Sequence, residues 1–235
     1  MPFQTKMNSI DLEVLFEDNH LIAVYKPSGV LVQGDKTGDT PLVDLVKAYI
    51  VQKYNKPGAA FLGVVHRIDR PTSGIVVFGK TSKALTRMNK LFAERKINKT
   101  YWALVEGHPD PTEADLEHYL VRNPEKNKSF AYQKPVPNAK RAHLSYKSIH
   151  RFERFSLLQV ELHTGRHHQI RAQLSALGHP IKGDLKYGAK RSNPNGSIDL
   201  VAQHLEFQHP VQDVKVVLSL KNPPLSIKVD EPFDS

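Results

Sequence analysis

His66-Arg67-Ile68-Asp69-Arg70-Pro71-Thr72-Ser73-Gly74 runs directly into the apolar stretch Ile75-Val76-Val77-Phe78. A short, fully apolar run of this kind predicts a central β-strand, and the charged segment before it hangs at the strand's start. Working outward, Ser82 to Lys96 carries Leu85, Met88, Leu91 and Phe92 on one helical face and Lys83, Arg87 and Lys90 on the other. That spacing predicts an amphipathic helix whose apolar stripe packs on the core. Thr100 to Val105 predicts the next strand, and Gly107 to Pro111 a loop.

Upstream, Val14-Leu15-Phe16 and Leu21 to Tyr25 flank Glu17-Asp18-Asn19 and read as two strands around a turn. Thr40-Pro41 reads as an N-cap with proline at the first helical position. Leu42, Leu45, Val46 and Tyr49 continue that helix until Lys56-Pro57-Gly58 breaks it. Downstream, Leu144 to Ile149 and Leu157 to Leu162 are expected strands, and Gln169 to Leu177 a short helix closed by Gly178. Gly183 to Gly196, rich in Gly, Asn and Lys, is an expected exposed loop. Leu200 to Phe207 and Val214 to Leu220 supply the last strands. Strands and helices intermix without βαβ regularity, so an α+β fold with a mixed, largely antiparallel sheet is predicted. With no repeat, low-complexity tract or linker, a single domain over residues 10–230 is expected, flanked by flexible termini at 1–9 and 231–235.

Bulk properties narrow the function classes. A chain of 235 residues with 40% hydrophobic and 24% charged residues can bury a real core. No apolar run approaches the roughly 20 residues that span a bilayer, and the first residues lack the apolar stretch of a secretory signal. The absence of cysteine excludes disulfides, thiolate metal sites and a cysteine nucleophile, which suits a reducing cytoplasm. A formal net charge of +9 favours polyanionic partners. Between Lys126 and Phe152 there is no Asp or Glu, while Lys126, Lys128, Lys134, Lys140, Arg141, Lys147 and Arg151 alternate with Phe130, Tyr132 and Tyr146. Such a surface pairs phosphate neutralisation with base stacking. A β-hairpin with aromatics on one face and lysines on the other is the competing reading.

Two polar clusters carry the chemistry. In the first, a carboxylate flanked by arginines stays ionised as a nucleophile or base when either approaches it. Alternation along an extended segment places Arg67 and Asp69 on one side and His66, Ile68 and Arg70 on the other. A surface salt-bridge network is the plain alternative. The second cluster is Thr164-Gly165-Arg166-His167-His168-Gln169-Ile170-Arg171. His163 and His167 have the spacing of helical zinc ligands, yet Gly165 lies between them and no HExxH pattern or carboxylate partner accompanies them. No metal site is therefore expected.

Taken together, and with Lys99 to Gly107 between them, the clusters resemble the RluA-type RNA pseudouridine synthases. The resemblance starts at Lys26-Pro27-Ser28-Gly29-Val30-Leu31-Val32 ("KPaGllv") and continues through His66 to Gly74 ("HRLDr-TSG"). Thr164 to Arg171 matches "TGRxHQIR", Gly178 to Asp184 with Tyr187-Gly188 matches "GhPI-GD--YG", and His209-Pro210 matches the closing "HP". Ile68 replaces the usual leucine. The resemblance implies a mixed sheet with a central RNA-binding cleft, an RNA partner in ribosomal or transfer RNA, a monomer, and neither metal nor organic cofactor. It implies Asp69 as the catalytic aspartate and Tyr101 as the residue that stacks on the base and serves proton removal from its C5. Arg171 would salt-bridge the aspartate, and Arg67 would enter the stack when the nucleotide flips. His66, Arg70 and Thr72 are expected RNA contacts, and Arg166, His168 and Gln169 fall in these motifs as support or RNA contacts. Lys140 and Arg141 are the expected contacts in the basic segment. The chain begins directly at the catalytic segment, which would leave substrate choice to the catalytic domain. The rival classes are a catalytically silent RNA-binding protein of the same fold and a metal-dependent nuclease. The latter needs convergent acidic residues, and within the motifs Asp69, Glu106 and Asp184 lie in separate segments.

Overall fold

The structure, a computed structural model, describes residues 12–227. The expected flexible ends at 1–9 and 231–235 lie outside the described residues.

The strand predicted at Ile75–Phe78 is β4, Ser73–Gly79, and every residue of it is buried. Its alternation serves two cores at once. Val76 and Phe78 pack with Leu42, Val46 and Ile50 of α1 (Leu42–Lys53), while Ile75 and Val77 pack with Ala84 and Met88 of α2 (Ser82–Ala93). A strand buried on both faces has no polar side, so its sequence shows no alternation of polarity.

Eleven strands form one sheet among the described residues. In chain order they are β1 (Val14–Glu17), β2 (Leu21–Lys26), β3 (Gly63–Val64), β4, β5 (Ile97–Glu106), β6 (Glu113–Asn123), β7 (Lys128–Tyr132), β8 (Lys140–Arg151), β9 (Phe155–Leu162), β10 (Leu200–Gln208) and β11 (Lys215–Ser219). The lateral order is β1-β2-β4-β10-β5-β9-β8-β6-β7, with β3 beside β4 and β11 beside β10. All pairings are antiparallel except β4 with β10, where Ser73 and Gly74 lie beside Val201 and Ala202. Gly74 makes that approach possible. It has φ +126, and a Cβ there would lie 2.4 Å from the Ala202 carbonyl oxygen and 2.5 Å from its nitrogen. The α+β class with a mixed, largely antiparallel sheet is what the structure has.

Several local readings shift, each for a physical reason. Pro41, not Thr40, caps α1, without a side-chain hydrogen bond. The helix's first N–H groups are satisfied instead by the preceding loop, Leu42 donating to the Leu31 carbonyl at 2.7 Å and Val43 to the Val32 carbonyl at 3.1 Å. α2 is capped by Thr81, whose hydroxyl accepts from Ala84 N–H, and it stops at Ala93 because Arg95 turns left-handed at φ 58. The third helix, α3, spans Gln169–Ala176, and Gly178 at φ +90 closes it.

The principal omission from the sequence reading is β6. Glu113, Asp115 and Glu117 alternate with Ala114, Leu116 and His118, and carboxylates at half the positions hide the strand from propensity. β6 pairs with both β7 and β8, so the basic segment 126–152 is two strands held apart by β6 rather than a hairpin of its own. No helix among the described residues is long and apolar enough to cross a membrane.

Candidate active site

Asp69 sits in the irregular segment between β3 and β4, held open by a turn in which Thr72 N–H donates to the Asp69 carbonyl at 3.0 Å. The segment is clamped from β2's end. Gly29 N–H donates to the Arg70 carbonyl at 2.8 Å, and the Ser28 hydroxyl to the Pro71 carbonyl at 2.9 Å. Lys26, fully buried, directs its ammonium at the carbonyls of Val30, Pro27 and Arg70 at 2.8, 3.0 and 3.2 Å. Burial pulls that ammonium down to about 7, against the opposing attraction of Asp69. Lys26 belongs to the quoted "KPaGllv" segment, but its role as a buried clamp is visible only in three dimensions.

Arg171, on the first turn of α3, organises the carboxylates. Its Nε and Nη2 bind the two oxygens of Asp184 at 2.6 and 2.9 Å, and its Nη1 binds Asp69 Oδ2 at 3.0 Å. The guanidinium lies over the Tyr187 ring, 4.9 Å from its centroid. Side-chain exposure grades outward: 2% for Asp184, 5% for Arg171, 28% for Asp69. Burial disfavours the arginine's charge, yet the bonds and fields of Asp184 and then Asp69 outweigh it and hold Arg171 above its ordinary value. The result is a buried, bidentate anchor presenting one carboxylate towards solvent. Asp184 was legible only as a motif letter; no spacing in the sequence tied it to Asp69.

His168 completes the wall. Its Nε2 lies 3.6 Å from Asp69 Oδ2, and its Nδ1 3.0 Å from the Tyr187 hydroxyl, which accepts from Ser129 N–H at 2.8 Å. Burial, with the fields of Arg171 and His167 behind it, drives His168 down to about 3, so the ring is neutral. The Tyr187 hydroxyl, already accepting from Ser129, gives its proton to Nδ1, and the remaining N–H of His168 faces Asp69. Burial pushes the Tyr187 phenol up to about 12. His168 holds a left-handed backbone, φ 53, at the cap of α3. That is strain concentrated beside the carboxylate.

Tyr101, on β5, is buried, and burial reinforced by Asp69's charge pushes its hydroxyl well above the ordinary tyrosine range. It therefore remains a neutral phenol beside the carboxylate. Arg67 is exposed next to Asp69.

The remaining candidates sit elsewhere. His66 Nε2 accepts from Val77 N–H at 3.0 Å and its ring stacks on Phe92, centroids 5.0 Å apart. Burial, then Lys99, drives it down to about 3, so it is a neutral support for β4. Thr72 and Gln169 are buried. Gln169 Oε1 accepts from the Thr164 hydroxyl and Arg166 N–H at 2.7 and 2.9 Å, bracing the loop before α3. Arg70 turns away to Asp39, 2.7 Å, and to the Gly29 carbonyl. Arg166 Nε donates to the Arg141 carbonyl at 3.0 Å, which brings the start of β8 next to the 164–171 motif. Arg141 itself forks onto Glu117 at 2.8 and 2.6 Å, while Lys140 is exposed beside it. His163 does not join His167 and His168: those two rings stack, centroids 3.8 Å apart, with His167 bonded to Ser129 and Asn127, whereas His163 bonds Ser145.

One solvent-facing carboxylate between an arginine anchor and an aromatic ring suits stabilisation or capture of a sugar carbon that becomes electron-poor. Glycoside hydrolysis adds a second open carboxylate to activate water. Asp184, the other carboxylate on Arg171, is buried and fully engaged. Residues 20–176 match the family described as RNA pseudouridylate synthase. An uncharacterized RNA pseudouridine synthase of Aquifex aeolicus is 32% identical over 234 residues, 94% of this chain and 73% of that protein. The ribosomal large subunit pseudouridine synthase D of Zymomonas mobilis is 33% identical over 232 residues, again 94% and 73%. Ribosomal large subunit pseudouridine synthase C of Vibrio cholerae is 33% identical over 225 residues, 92% and 68%. The fold matches that of human RNA pseudouridylate synthase domain containing 4, TM-score 0.75 at 23% identity, over 90% of this chain and 88% of that one. With a carboxylate site of this construction and matches of this extent, the chain belongs to the RNA pseudouridylate synthase family.

Proposed function

We propose that the chain isomerises specific uridines of ribosomal RNA to pseudouridine, with Asp69 as the catalytic carboxylate. The observation that carries the reading is the single open carboxylate of Asp69, locked by Arg171 and Asp184 beside the neutral phenol of Tyr101. The ribosomal target rests on the names of the relatives, two of which are ribosomal large subunit synthases.

The reaction breaks the N1–C1′ bond, turns the uracil, and joins its C5 to C1′; the C5 proton leaves and N1 gains one. Atoms and oxidation state are conserved, so no cofactor is required by the balance. The target base must first leave its stack, a cost of a few kcal/mol, and an exposed arginine such as Arg67 can fill the gap with its planar guanidinium. As C1′ becomes electron-poor, the Asp69 carboxylate stabilises it, and Arg171 holds that carboxylate oriented. Tyr101 offers its face to the uracil. The enzyme acts on RNA as a monomer in the cytoplasm, where ribosomal RNA is made available.

The test is pseudouridine mapping of total RNA from cells lacking the gene, complemented with wild type or Asp69→Ala. Sites lost on deletion and restored by wild type alone support the reading. Restoration by Asp69→Ala would remove Asp69 from the mechanism and favour a binding role.

A further inference from the structure

We propose that Asp115, His143 and His163 form a binding site for a zinc-class divalent cation on the sheet face opposite Tyr101. The three come from three neighbouring positions in space: β6, β8 and the residue that follows β9. Their donor atoms all lie within 4.8 Å of one another. His143 Nε2 is 2.9 Å from Asp115 Oδ1, and the two imidazole rings stand 4.3 Å apart at 35°. The Ser145 hydroxyl lies between them, donating to Asp115 Oδ1 at 3.0 Å and bonded to His163 Nε2.

Strand alternation sets the face. Tyr101 pairs with Val160 and Val160 with Tyr146, so these point into the core beneath α3 together with Leu144 and Leu116. The odd positions of β6 and β8 point the other way. At one end that other face is covered by Leu225 and Ile227 packed on Trp102 and Leu157. Among the described residues the end carrying His143 and His163 is left open, along a cleft of about 560 Å³.

Two further observations favour a cation there. Glu113 and Glu161 stand on the same face around Asp115 on a chain of net charge +9, with Lys147 beside Glu113 and Arg95 and Lys99 on the wall of the adjoining cleft. Three carboxylates grouped there favour a cation locally. The scaffold is also rigid. His143 N–H donates to the Thr164 hydroxyl at 2.9 Å, and Thr164 N–H returns to the His143 carbonyl at 3.2 Å, so the segments carrying both histidines are stapled together. Two imidazoles and one carboxylate make a nitrogen-rich set that selects zinc or its late first-row neighbours over calcium and magnesium. Three protein ligands leave a position for water. The expectation of no metal site came from His163, His167 and His168; the fold stacks His167 on His168 but sets His163 apart, with partners remote in sequence. A bound ion would tie β6, β8 and β9 together just before the Thr164–Arg171 motif.

The test uses the full chain, freed of any affinity tag and stripped with chelator, titrated with Zn²⁺ by calorimetry and with Co²⁺ by visible absorption. One equivalent of Zn²⁺ is expected to bind and raise the thermal midpoint, and Co²⁺ is expected to develop ligand-field bands. His143→Gln and His163→Gln should each weaken binding by more than the roughly 10–100-fold lost with an outer-shell partner. His204→Gln, in the same cleft but bonded to Ser219, should bind as wild type does. Asp115→Asn, close in shape to the native residue, gives a second reading if a histidine variant fails to fold. An absence of saturable binding in the folded wild type, or undiminished affinity in the His143→Gln/His163→Gln double variant, overturns the proposal.

Discussion

At the residue scale the site is an exercise in carboxylate management. Arg171 spends two of its three bonded nitrogens on Asp184, which leaves Asp69 a fixed single contact and an open face. Asp69→Asn is therefore expected to lower turnover by on the order of 10³-fold or more while RNA binding persists, as read by single-turnover assay alongside filter binding. Asp184→Ala leaves Arg171 buried with half its partners. It should cost about 3–5 kcal/mol of stability by urea unfolding, and the residual activity should fall in kcat rather than KM. Two histidines, His168 buried and His66 half-buried, set an acid limit. His66 and His168 are both driven down to about 3, so the unfolded chain binds protons there that the folded chain does not. Their contribution is fully present above the ordinary histidine value near 6.5 and is lost as pH falls towards 3, by up to about 1.4 kcal/mol per pH unit for each. Thermal midpoints of His66→Gln against wild type over that window should show a shallower fall in the variant. A parallel fall would mean His66 accepts a proton without penalty.

The element scale explains why the site can exist at the junction of β4 and β10. These are the parallel neighbours in an otherwise antiparallel sheet, and their contact starts at Ser73 and Gly74, directly after the Asp69 loop. Gly74→Ala drives a methyl into the Ala202 backbone at a φ that L-residues avoid. Destabilisation of roughly 3 kcal/mol is expected by denaturant titration, with catalysis impaired beyond it because the Asp69 loop shifts. Here sequence reading was good for elements with one physical signature. β4 was legible because a doubly buried strand is apolar throughout, and α2 because its stripe has helical period. β6 was illegible because its outward positions carry Glu113, Asp115 and Glu117, residues that strands usually avoid. The cap of α1 was misassigned to Thr40 because its N–H groups are satisfied by a loop, a long-range fact.

At the scale of the whole molecule the two sheet faces differ in electrostatic purpose. The face with Asp69 opens beside Arg67, Arg166 and the Lys140 end of β8, whereas the reverse face carries the Asp115 and Glu161 patch. Lys140→Gln is expected to lower the salt slope of RNA binding by about 0.7–0.9. Arg141→Gln should change it far less, because Glu117 already neutralises that guanidinium. An unchanged slope for Lys140→Gln would mean this end of β8 faces away from RNA. Isomerisation is also expected to continue in excess chelator, since the Asp115 site lies across the sheet from Asp69. Loss of activity there would bring a metal into the mechanism.

The sequence by itself determined the class of the fold and the family resemblance, and its motifs singled out Asp69, Tyr101 and Arg171, which the fold brings near one another. Those properties are written locally, in periodicity and in short motifs whose letters sit within a few residues of one another. Only the tertiary structure decided that Asp184 anchors Arg171, that Lys26 clamps the Asp69 loop, that His66 supports β4, and that Thr72 and Gln169 are buried. It alone also brought Asp115 and His143 to His163. Such relations join residues tens of positions apart. They depend on strand order and burial, which pairwise spacing along a chain does not encode.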